Sequence, residues 1–323
     1  MRVLVTGGAG FIGHHLVRRL VDDGDEVHVL DDLSTGFKWR LEPVLDRIKL
    51  IEGSILSPSA LDEAAAGCDV IKHEAAIPSV ARSVLEPRVT SDVNVDGTIE
   101  VMLAAARHNV RRVLFAGSSS IYGIPESLPC HEGQLPAPQS PYGAAKIAGE
   151  HYVTTLGALN DIETVILRYF NIFGPGQDPA SEYAAVVPKF VTAVLAGERP
   201  IINGDGSVSR DFTYVDNVVE ANMLAARRPV TSPLTCNVAC GTRYSLLELL
   251  GAIADALGEP VDPQFGPPRP GDILHSQADI ERARKALGYE VVVPFGVGIA
   301  RTVAWYREQV PGPLATPRPT TPA

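Results

Sequence analysis

Three glycines at intervals of three residues, placed between a predicted strand and a predicted helix, constrain the fold of this chain most. Gly7, Gly10 and Gly13 follow the apolar run 3–5, and an amphipathic helical pattern leads from them to a second apolar run at 26–30. Strand, helix and strand within about 30 residues form a βαβ unit. Glycines at this position allow a tight turn, close approach of a pyrophosphate to the backbone, and close packing of helix on strand. The unit therefore predicts a dinucleotide site, although a glycine cluster without a ligand is an alternative.

The same alternation of strands and helices continues along the chain. Further apolar runs at 49–51, 70–71, 112–116 and 164–169 are separated by helical patterns such as 95–107. Strands that alternate with helices are typical of a parallel sheet covered on both faces. We therefore predict an α/β fold, with a Rossmann-type doubly wound parallel sheet and a smaller C-terminal α/β lobe that binds the substrate.

The length of 323 residues suggests two lobes, at roughly 150 residues per domain. We expect residues 1–170 to bind the dinucleotide, with segments at about 212–240 returning to the same sheet, and residues 171–310 to form the substrate lobe. A last helix is predicted over 297–309. The proline-rich end, 311–323, predicts a flexible tail because it can neither continue a helix nor pack.

The charge balance narrows the range of partners. Twenty-eight Lys and Arg face 38 Asp and Glu, a formal charge of −10, so we expect neither nucleic acid nor an anionic membrane as a partner. A membrane-spanning helix needs about 18 consecutive apolar residues, and no apolar run in the sequence is that long. Because a strand is predicted directly after Met1, we also expect no secretory leader. Four scattered cysteines predict neither a disulfide scaffold nor a metal site. We therefore expect a cytoplasmic protein.

The end of the second predicted strand indicates which dinucleotide binds. Asp31 stands 18 residues after Gly13, at the position where a carboxylate accepts hydrogen bonds from the adenosine ribose hydroxyls. A carboxylate there favours NAD over NADP. The sequence therefore predicts NAD as the cofactor.

A tyrosine and a lysine four residues apart form the candidate catalytic pair. Tyr142 and Lys146 follow Ser140 and Pro141, a typical helix start, so both side chains share one helix face. An unperturbed tyrosine has a pKa of about 10 and is a poor base at neutral pH. A nearby lysine ammonium and the positive nicotinamide ring both favour the phenolate. The pair therefore predicts a general base, with a surface tyrosine and lysine as the alternative.

Serines at the end of a buried strand support this interpretation. Ser118, Ser119 and Ser120 follow a strand-like run, and ligands of open α/β sheets bind at the carboxyl ends of the strands. A hydroxyl there can relay a proton between a substrate and Tyr142. Asn94 is a further candidate near the cofactor, with a helix N-cap as the alternative.

Together with three later motifs, these features resemble the extended short-chain dehydrogenase/reductases, and within them the NAD-dependent nucleotide-sugar 4-epimerases that act on UDP-GlcNAc or UDP-glucose. The resemblance covers nearly the whole chain and rests on the glycine motif, Ser118 to Gly123, Tyr142 with Lys146, Arg168-Tyr169-Phe170-Asn171, Arg210-Asp211-Phe212 and Arg269-Pro270-Gly271-Asp272. It implies reversible C4 epimerisation of a UDP-hexose through a 4-keto intermediate, with NAD that remains tightly bound.

The resemblance also implies the role of each site residue. Tyr142 takes the proton of the sugar 4-hydroxyl while NAD takes hydride from C4, and Ser118 relays the proton with Ser119 and Ser120 beside it. The residues implied in cofactor binding are Gly7, Gly10, Phe11, Ile12, Gly13, Asp31, Asp32, Ser34, Thr35, Gly36, Ser54, Ile55, Ala75, Asn94, Tyr142, Lys146 and Phe170. Those implied in substrate binding are Ser79, Ser118, Asn171, Ala185, Val187, Asn203, Arg210, Arg269, Asp272 and Ser276.

Similarity to this family also narrows the substrate. Dehydratases on this scaffold use an Asp-Glu pair where this chain has Ser119 and Ser120, and no cation stands near Asn171, where uronic-acid enzymes hold a carboxylate. Ser276 takes the place of a bulky tyrosine found in relatives restricted to glucose and galactose, which leaves room for a 2-acetamido group. We expect UDP-GlcNAc and UDP-GalNAc as substrates, with UDP-Glc and UDP-Gal as a further pair. A 4,6-dehydratase, a uronate epimerase and a non-catalytic NAD sensor are the alternatives.

Two positions depart from the family's pattern. Ser54 stands where an aspartate often contacts adenine, and Glu74 stands where an apolar residue is usual. The preceding His73 is interpreted as structural. The resemblance further suggests a homodimer that pairs through helices near 95–107 and 143–156.

Overall fold

A seven-stranded sheet lies at the centre of the computed structural model, which describes residues 1–179, 185–268 and 273–309. In spatial order its strands are β11 (Leu234–Val238), β6 (Glu163–Tyr169), β5 (Arg112–Ser118), β4 (Val70–His73), β1 (Arg2–Thr6), β2 (Glu26–Asp31) and β3 (Ile48–Glu52). All neighbouring strands pair in parallel. The strand order reverses between β1 and β4, and ligands of such sheets bind at this switch point. The predicted Rossmann-type sheet is confirmed.

Helices cover both faces of this sheet. They are α1 (Phe11–Asp22), α2 (Pro58–Ala65), α3 (Val80–Leu85), α4 (Pro87–Ser91), α5 (Gly97–Arg107), α6 (Pro141–Leu159), α8 (Val215–Arg227) and α10 (Glu281–Leu287). One apolar cluster joins the sheet to α1 and α8, and another joins its opposite face to α2, α5 and α6. Because the central strands are buried on both faces, they are apolar without alternation.

The remaining elements form a smaller lobe made of short strand pairs and three helices. The pairs are β7 (Ile172–Phe173) with β10 (Thr213–Tyr214), β8 (Ile201–Asn203) with β13 (Gln264–Gly266), and β9 (Ser209–Arg210) with β12 (Tyr244–Ser245). The helices are α7 (Val186–Leu195), α9 (Leu246–Leu257) and α11 (Phe295–Gln309). A third apolar cluster, rich in aromatic rings, fills the space between them. Between the two parts of this lobe, α8 and β11 rejoin the large sheet.

Two helix starts differ from the sequence prediction. The helix predicted over 95–107 begins at Gly97, because residues Asp92–Asp96 form a π-helical turn. The last helix begins at Phe295 and not at 297, since Phe295 belongs to the aromatic cluster of the smaller lobe. The predicted tail, 311–323, lies outside the described residues. Within the described ranges, every helix is too short or too polar to cross a membrane.

Candidate active site

The glycine turn lies at the switch point, between the ends of β1 and β4. Gly7 has a φ of +70°, and a Cβ on it would stand 2.7 Å from the Ala75 nitrogen. A Cβ on Gly13 would overlap the carbonyl oxygen of Gly7. Gly10 precedes α1, whose first turn begins with Phe11 and has no side-chain cap. The uncapped N–H groups of such a turn bind anions, so these residues fit the pyrophosphate of a dinucleotide.

The carboxylate of Asp31 closes the loop beside this turn. Its Oδ2 accepts a hydrogen bond from the Ala9 nitrogen at 2.8 Å, and its Oδ1 accepts one from the Leu33 nitrogen at 2.8 Å. Burial raises the pKa of Asp31, while these two backbone donors lower it. A Cβ on Gly36 would stand 2.7 Å from the same carboxylate. Asp31 therefore connects the glycine turn to the loop that follows β2.

Other predicted cofactor residues line the loops that follow β2 and β3. Asp32 accepts hydrogen bonds from the nitrogen and the hydroxyl of Ser34, and Ser34 and Thr35 are exposed. The Ser54 hydroxyl accepts a hydrogen bond from the Leu56 nitrogen at 3.1 Å. These polar groups lie at the carboxyl ends of two neighbouring parallel strands, which is where the adenosine half of a dinucleotide would lie.

Asn94 fixes the segment that follows β4. Its Oδ1 accepts a hydrogen bond from the Ile77 nitrogen at 2.8 Å, and its Nδ2 donates one to the Ile77 carbonyl at 3.1 Å. The alternative of a helix N-cap is wrong, because Asn94 lies inside the π-helical turn and Asp96 precedes α5. Ile55 packs beneath, where it would collide with a Cβ on Gly97.

Tyr142 and Lys146 lie on the first two turns of α6, as the sequence predicted. Ser140 caps this helix by accepting from the Gly143 nitrogen. The Tyr142 nitrogen donates a hydrogen bond to the Ser83 hydroxyl at 3.0 Å, which ties α6 to α3. The Lys146 ammonium donates to the Ala116 carbonyl at 2.9 Å and lies 6.0 Å from the centroid of the tyrosine ring. The pair is thus held against the end of β5.

Burial dominates the ionisation of this pair. It raises the pKa of Tyr142, a hydrogen bond with Ser118 lowers it, and the Glu74 carboxylate raises it further. Burial also lowers the pKa of Lys146 to about 8, against the opposing charges of Glu74 and Glu150. The sequence predicted a lowered tyrosine pKa. Together, burial and the surrounding side chains raise the pKa of Tyr142 and do not lower it, and the positive charge of a bound nicotinamide would favour the phenolate.

The three serines lie beside Tyr142, at the end of β5. Ser118 is buried, and its hydroxyl accepts a hydrogen bond from the Ser120 nitrogen at 3.2 Å. Ser119 and Ser120 begin a short 3₁₀ turn and line a cavity of about 110 Å³. The other predicted residues that line this small cavity are Phe170, Asn171, Arg210 and Ser276.

A larger cavity of about 680 Å³ lies in the smaller lobe. The predicted residues that line it are Asn171, Ala185, Val187, Asn203 and Arg210. Asn171 and Arg210 line both cavities, so the two spaces meet at these side chains. The Arg210 guanidinium donates hydrogen bonds to the carbonyls of Ser209 and Leu274. Asn171 has a φ of +42°, a conformation that costs energy outside glycine and occurs often at ligand sites.

Two predicted substrate residues of the described ranges, Ser79 and Ser118, do not line either cavity. Ser79 caps α3 by accepting a hydrogen bond from the Arg82 nitrogen at 3.0 Å. Arg269 and Asp272 lie outside the described residues. His73 forms one hydrogen bond through each ring nitrogen, with the Thr6 hydroxyl and with the Thr98 hydroxyl. These contacts agree with a structural role.

Several residues at the site had no predicted role. Tyr122, Cys130 and His275 line the small cavity, and Phe190 and Phe212 line the large one. For Tyr122, His275 and Phe212, the chain positions near Ser120, Ser276 and Arg210 are a signal that sequence alone offers. A hydrogen bond between Glu74 and Tyr169, at 2.8 Å, carries no comparable local signal, because Glu74 follows β4 and Tyr169 ends β6.

Known proteins share this architecture over nearly its full length. A family model described as the NAD dependent epimerase/dehydratase family matches residues 3–239. A UDP-glucose 4-epimerase of Mycolicibacterium smegmatis is 42% identical over 313 residues, which cover 96% of this chain and 99% of the relative.

Two solved structures are similar in fold and in sequence. The UDP-N-acetylglucosamine 4-epimerase from Methanobrevibacter ruminantium, in complex with UDP-N-acetylmuramic acid, has a TM-score of 0.91 and 37% identity, and the match covers 96% of this chain and 99% of that one. The UDP-glucose 4-epimerase of Thermus thermophilus, in complex with NAD, has a TM-score of 0.86 and 35% identity, with 96% and 100% covered.

Proposed function

This chain belongs to the NAD-dependent epimerase/dehydratase family, and from this premise we propose that it interconverts UDP-GlcNAc and UDP-GalNAc, with UDP-Glc and UDP-Gal as a second pair. Its general activity is the inversion of C4 in a UDP-hexose with NAD as cofactor. The choice among hexoses, and the role of each residue, are the content of the proposal.

The proposed reaction is shared between bound NAD and the side chains of the catalytic residues. Bound NAD supplies the hydride acceptor and donor at C4, and a positive ring charge. Tyr142 takes the proton of the 4-hydroxyl as general base and later returns it. Ser118, which is hydrogen-bonded to Tyr142, relays this proton, and Ser119 and Ser120 line the small cavity proposed for the sugar. Lys146 favours the phenolate through its charge, since an ammonium nearby stabilises the ionised form.

The proposed binding mode follows from the two connected cavities. The large cavity is of the size that small-molecule sites have, about 300 to 1,000 Å³, and suits the nucleoside. Arg210 lies where the two cavities meet, so its planar guanidinium is placed for the diphosphate between nucleoside and sugar. Asn171 would contact the same diphosphate, and Arg269 and Asp272 are proposed to complete this site.

The position of Ser276 is the observation that carries the choice of substrate. Ser276 lines the small cavity together with Ser119 and Ser120, on a wall that also contains the larger Tyr122 and Phe170, so a small side chain stands at the position where a tyrosine would fill space beside the sugar. A 2-acetamido group is larger than a hydroxyl and needs such room. We therefore favour the N-acetylated sugars.

A substitution that fills this space tests the proposal. In Ser276→Tyr, kcat/KM for UDP-GlcNAc should fall at least about 10-fold more than that for UDP-Glc, since a clash discriminates by a few kcal/mol. Ser276→Ala is the matched control and should leave the ratio of the two values unchanged. Absence of turnover of UDP-GlcNAc by the wild-type enzyme, or an equal loss for both sugars in Ser276→Tyr, would refute the proposed substrate.

The products separate this proposal from the alternatives. Purified protein is incubated with UDP-GlcNAc, UDP-Glc or UDP-glucuronic acid without added cofactor, and the sugars are followed by NMR. We expect the C4 epimers of the first two and no net NADH. A 6-deoxy-4-keto product would indicate a dehydratase, exclusive turnover of the uronate a uronate epimerase, and no turnover an NAD sensor.

We also propose how the chain is divided and where it works. Residues 1–170 with the segment at about 212–240 would hold the cofactor, and 171–310 the UDP-sugar. The return of α8 and β11 to the large sheet supports this division. All four cysteines are free thiols, which persist in a reducing compartment, and this supports a cytoplasmic protein.

A homodimer is part of the proposal. Leu103 on α5 and Tyr152 on α6 are 38% and 43% exposed, and Leu85 on the adjoining α3 is 71% exposed. Large apolar side chains grouped in this way mark protein interfaces. Two copies of the chain that bring these helices together would bury them.

Light scattering after size exclusion tests the dimer. Leu103→Glu should shift the molecular mass from two chains toward one, because it buries a charge in the interface. Val292→Glu, at a side chain 52% exposed elsewhere, should leave the mass unchanged. A wild-type protein that is monomeric at all concentrations would contradict the proposed dimer.

A further inference from the structure

A chain of hydrogen bonds beneath the catalytic pair links groups that the proposed reaction does not use. The Tyr169 hydroxyl donates to Glu74 Oε1 at 2.8 Å, and the Asn222 amide donates to the Tyr169 oxygen at 2.8 Å. The Lys72 ammonium donates to the Asn222 carbonyl at 2.8 Å and is fully buried. Lys72 is thus an ionisable group in the interior, and Glu74 is a second one that is half-buried, at positions where an apolar residue would cost less free energy.

The sheet register brings Glu74 next to the lysine of the catalytic pair. In the parallel pairing of β4 with β5, His73 lies opposite Phe115. Glu74 directly follows this last pair on one side, and Ala116 directly follows it on β5. Ala116 is the residue whose carbonyl accepts the hydrogen bond from Lys146.

The Glu74 carboxylate is also fixed from the opposite side. Tyr169 lies opposite Ser118 in the pairing of β5 with β6, and its hydroxyl extends to Glu74. The hydrogen bond with Tyr169 connects the carboxylate to β6, and the hydrogen bond from Asn222 to Tyr169 connects it further to α8. These bonds restrict the position of the carboxylate relative to α6.

We propose that Glu74 is a positioning residue that keeps Lys146 protonated during the reaction, while Tyr169 holds the Glu74 carboxylate in place. The inference rests on the proposed roles of Tyr142 and Lys146. It assigns the charge at this point of the site to the residue that follows β4, which forms no hydrogen bond with Tyr142 or Lys146 within the described residues.

The electrostatics of the lysine agree with this arrangement. Two carboxylates oppose the burial that lowers the pKa of Lys146, first Glu74 and then Glu150. Glu150 is paired with the Arg168 guanidinium at 2.8 Å, which balances its charge. Glu74 forms no salt bridge within the described residues, so its charge acts on Lys146 without an arginine partner.

The same charge acts on the other ionisable groups that surround it. Those that face Glu74 are Lys72 on the preceding strand, Tyr142 and Lys146 on α6, and Tyr169 on β6. Burial raises the pKa of Glu74, and the hydrogen bond from Tyr169 and the two ammonium groups lower it. A negative charge here raises the pKa of Lys146 and of Tyr142 alike.

Because the charge of Glu74 raises both pKa values, its removal should lower both, and a purely structural role would not have this effect. With Tyr142 as base and Lys146 as cation, kcat rises with pH as the phenol ionises and falls as the ammonium loses its proton. Glu74→Gln keeps the side-chain shape and an oxygen for Tyr169 but removes the charge. Both limbs of the pH profile of kcat should therefore move to lower pH, by about one pH unit.

A matched control variant removes a carboxylate charge at a different place in the chain. Glu132→Gln removes another largely buried carboxylate, which accepts a hydrogen bond from the Asn237 nitrogen, and both limbs should stay in place. If Glu74→Gln lowers kcat at every pH while both limbs stay in place, Glu74 is structural and the inference is wrong.

A spectroscopic titration of the holoenzyme gives the second readout. The ultraviolet absorbance of tyrosinate is followed with pH, and the difference between a protein and its Tyr142→Phe form isolates Tyr142. This ionisation should occur at lower pH in the Glu74→Gln background, and an unchanged ionisation overturns the inference. If Glu74→Gln does not fold, Glu74→Asp takes its place, and its limbs and Tyr142 ionisation should move in the same direction by less.

The two proposals fail in different ways. Absence of epimer from the wild-type enzyme would refute the proposed function, whatever the titration shows. Epimer formation with unmoved limbs in Glu74→Gln would refute only the role of Glu74.

Discussion

The two halves of the candidate site are built in different ways. The half with Tyr142 and the glycine turn consists of one continuous parallel sheet and the first turns of two long helices, α1 and α6. The half around the large cavity consists of two- and three-residue strands and the segments between them. The proposed proton transfer, which tolerates little displacement, would thus lie on the sheet half, which we call the rigid half, and the proposed selection of the substrate would lie on the half made of short segments.

The largest effect should come from the rigid half. Tyr142→Phe removes the only group proposed to take the proton of the 4-hydroxyl, so kcat should fall roughly 100- to 10,000-fold. The glycine turn is untouched, so NAD should remain bound, which is measured by the cofactor released on denaturation.

Another tyrosine of the same helix provides the control. Tyr152 on α6 is 43% exposed, and Tyr152→Phe should keep kcat within about twofold. If Tyr142→Phe retained full turnover, the assignment of the base would be wrong and the rigid half would not carry the proton transfer.

A smaller effect should come from the junction of the two halves. Arg210→Gln removes a cation from the point where both cavities meet, so KM for the UDP-sugar should rise about 10- to 100-fold, with a smaller change in kcat, because charged hydrogen bonds contribute about 1.5 to 3 kcal/mol. Arg243→Gln, at an exposed side chain, is the control. A loss confined to kcat would place Arg210 at the reacting carbon and not at the diphosphate.

The smallest effect concerns the contact between the halves. The rings of His14 and His15 contact each other at a tilt of 42°, with centroids 4.0 Å apart, and they hydrogen-bond to the carbonyls of Gly10 and Pro175. Burial lowers their pKa values from 6.5, to about 2 for His14 and to about 4 for His15. The unfolded chain therefore takes up protons that the folded chain excludes, and the free energy of unfolding should fall as pH drops below about 6.5.

Urea unfolding between pH 7 and about 5 measures this dependence. In His14→Gln the slope of the unfolding free energy against pH should decrease by up to about 1.4 kcal/mol per pH unit, which is one proton less. His131→Gln, at an exposed histidine, should leave the slope unchanged. An unaltered slope in His14→Gln would show that this histidine is already accessible to protons in the folded chain.

The rigid half could be predicted well from the sequence because its signals are local. The glycine spacing, the apolar runs and the Tyr142–Lys146 interval all lie within a single strand, turn or helix. The second half could be predicted only through resemblance. Asn171, Arg210 and Ser276 come from separate segments, and no spacing rule places them around one small cavity.

Where local rules failed, a tertiary contact was the reason. Asparagine is a residue type that often caps helices, yet Asn94 lies inside a π-helical turn and its side-chain amide bonds to the backbone of Ile77. The pKa of Tyr142 could not be derived from its interval to Lys146, since burial and the charge of Glu74 raise it and only the hydrogen bond with Ser118 opposes them among the described residues. Both outcomes depend on groups that lie on other strands and helices.

The sequence by itself determined the parallel α/β sheet, the turn for a dinucleotide, and the placement of Tyr142 and Lys146 on one helix face. These features follow from backbone geometry. Side chains repeat every two residues along a strand and every 3.6 residues along a helix, and residues close together in the chain set this period. The tertiary structure alone decided that Arg210 stands where two cavities meet, and that Glu74 is held by Tyr169 beside the strand that anchors Lys146. Burial and charge interaction depend on distance in space, which the order of residues along the chain does not fix.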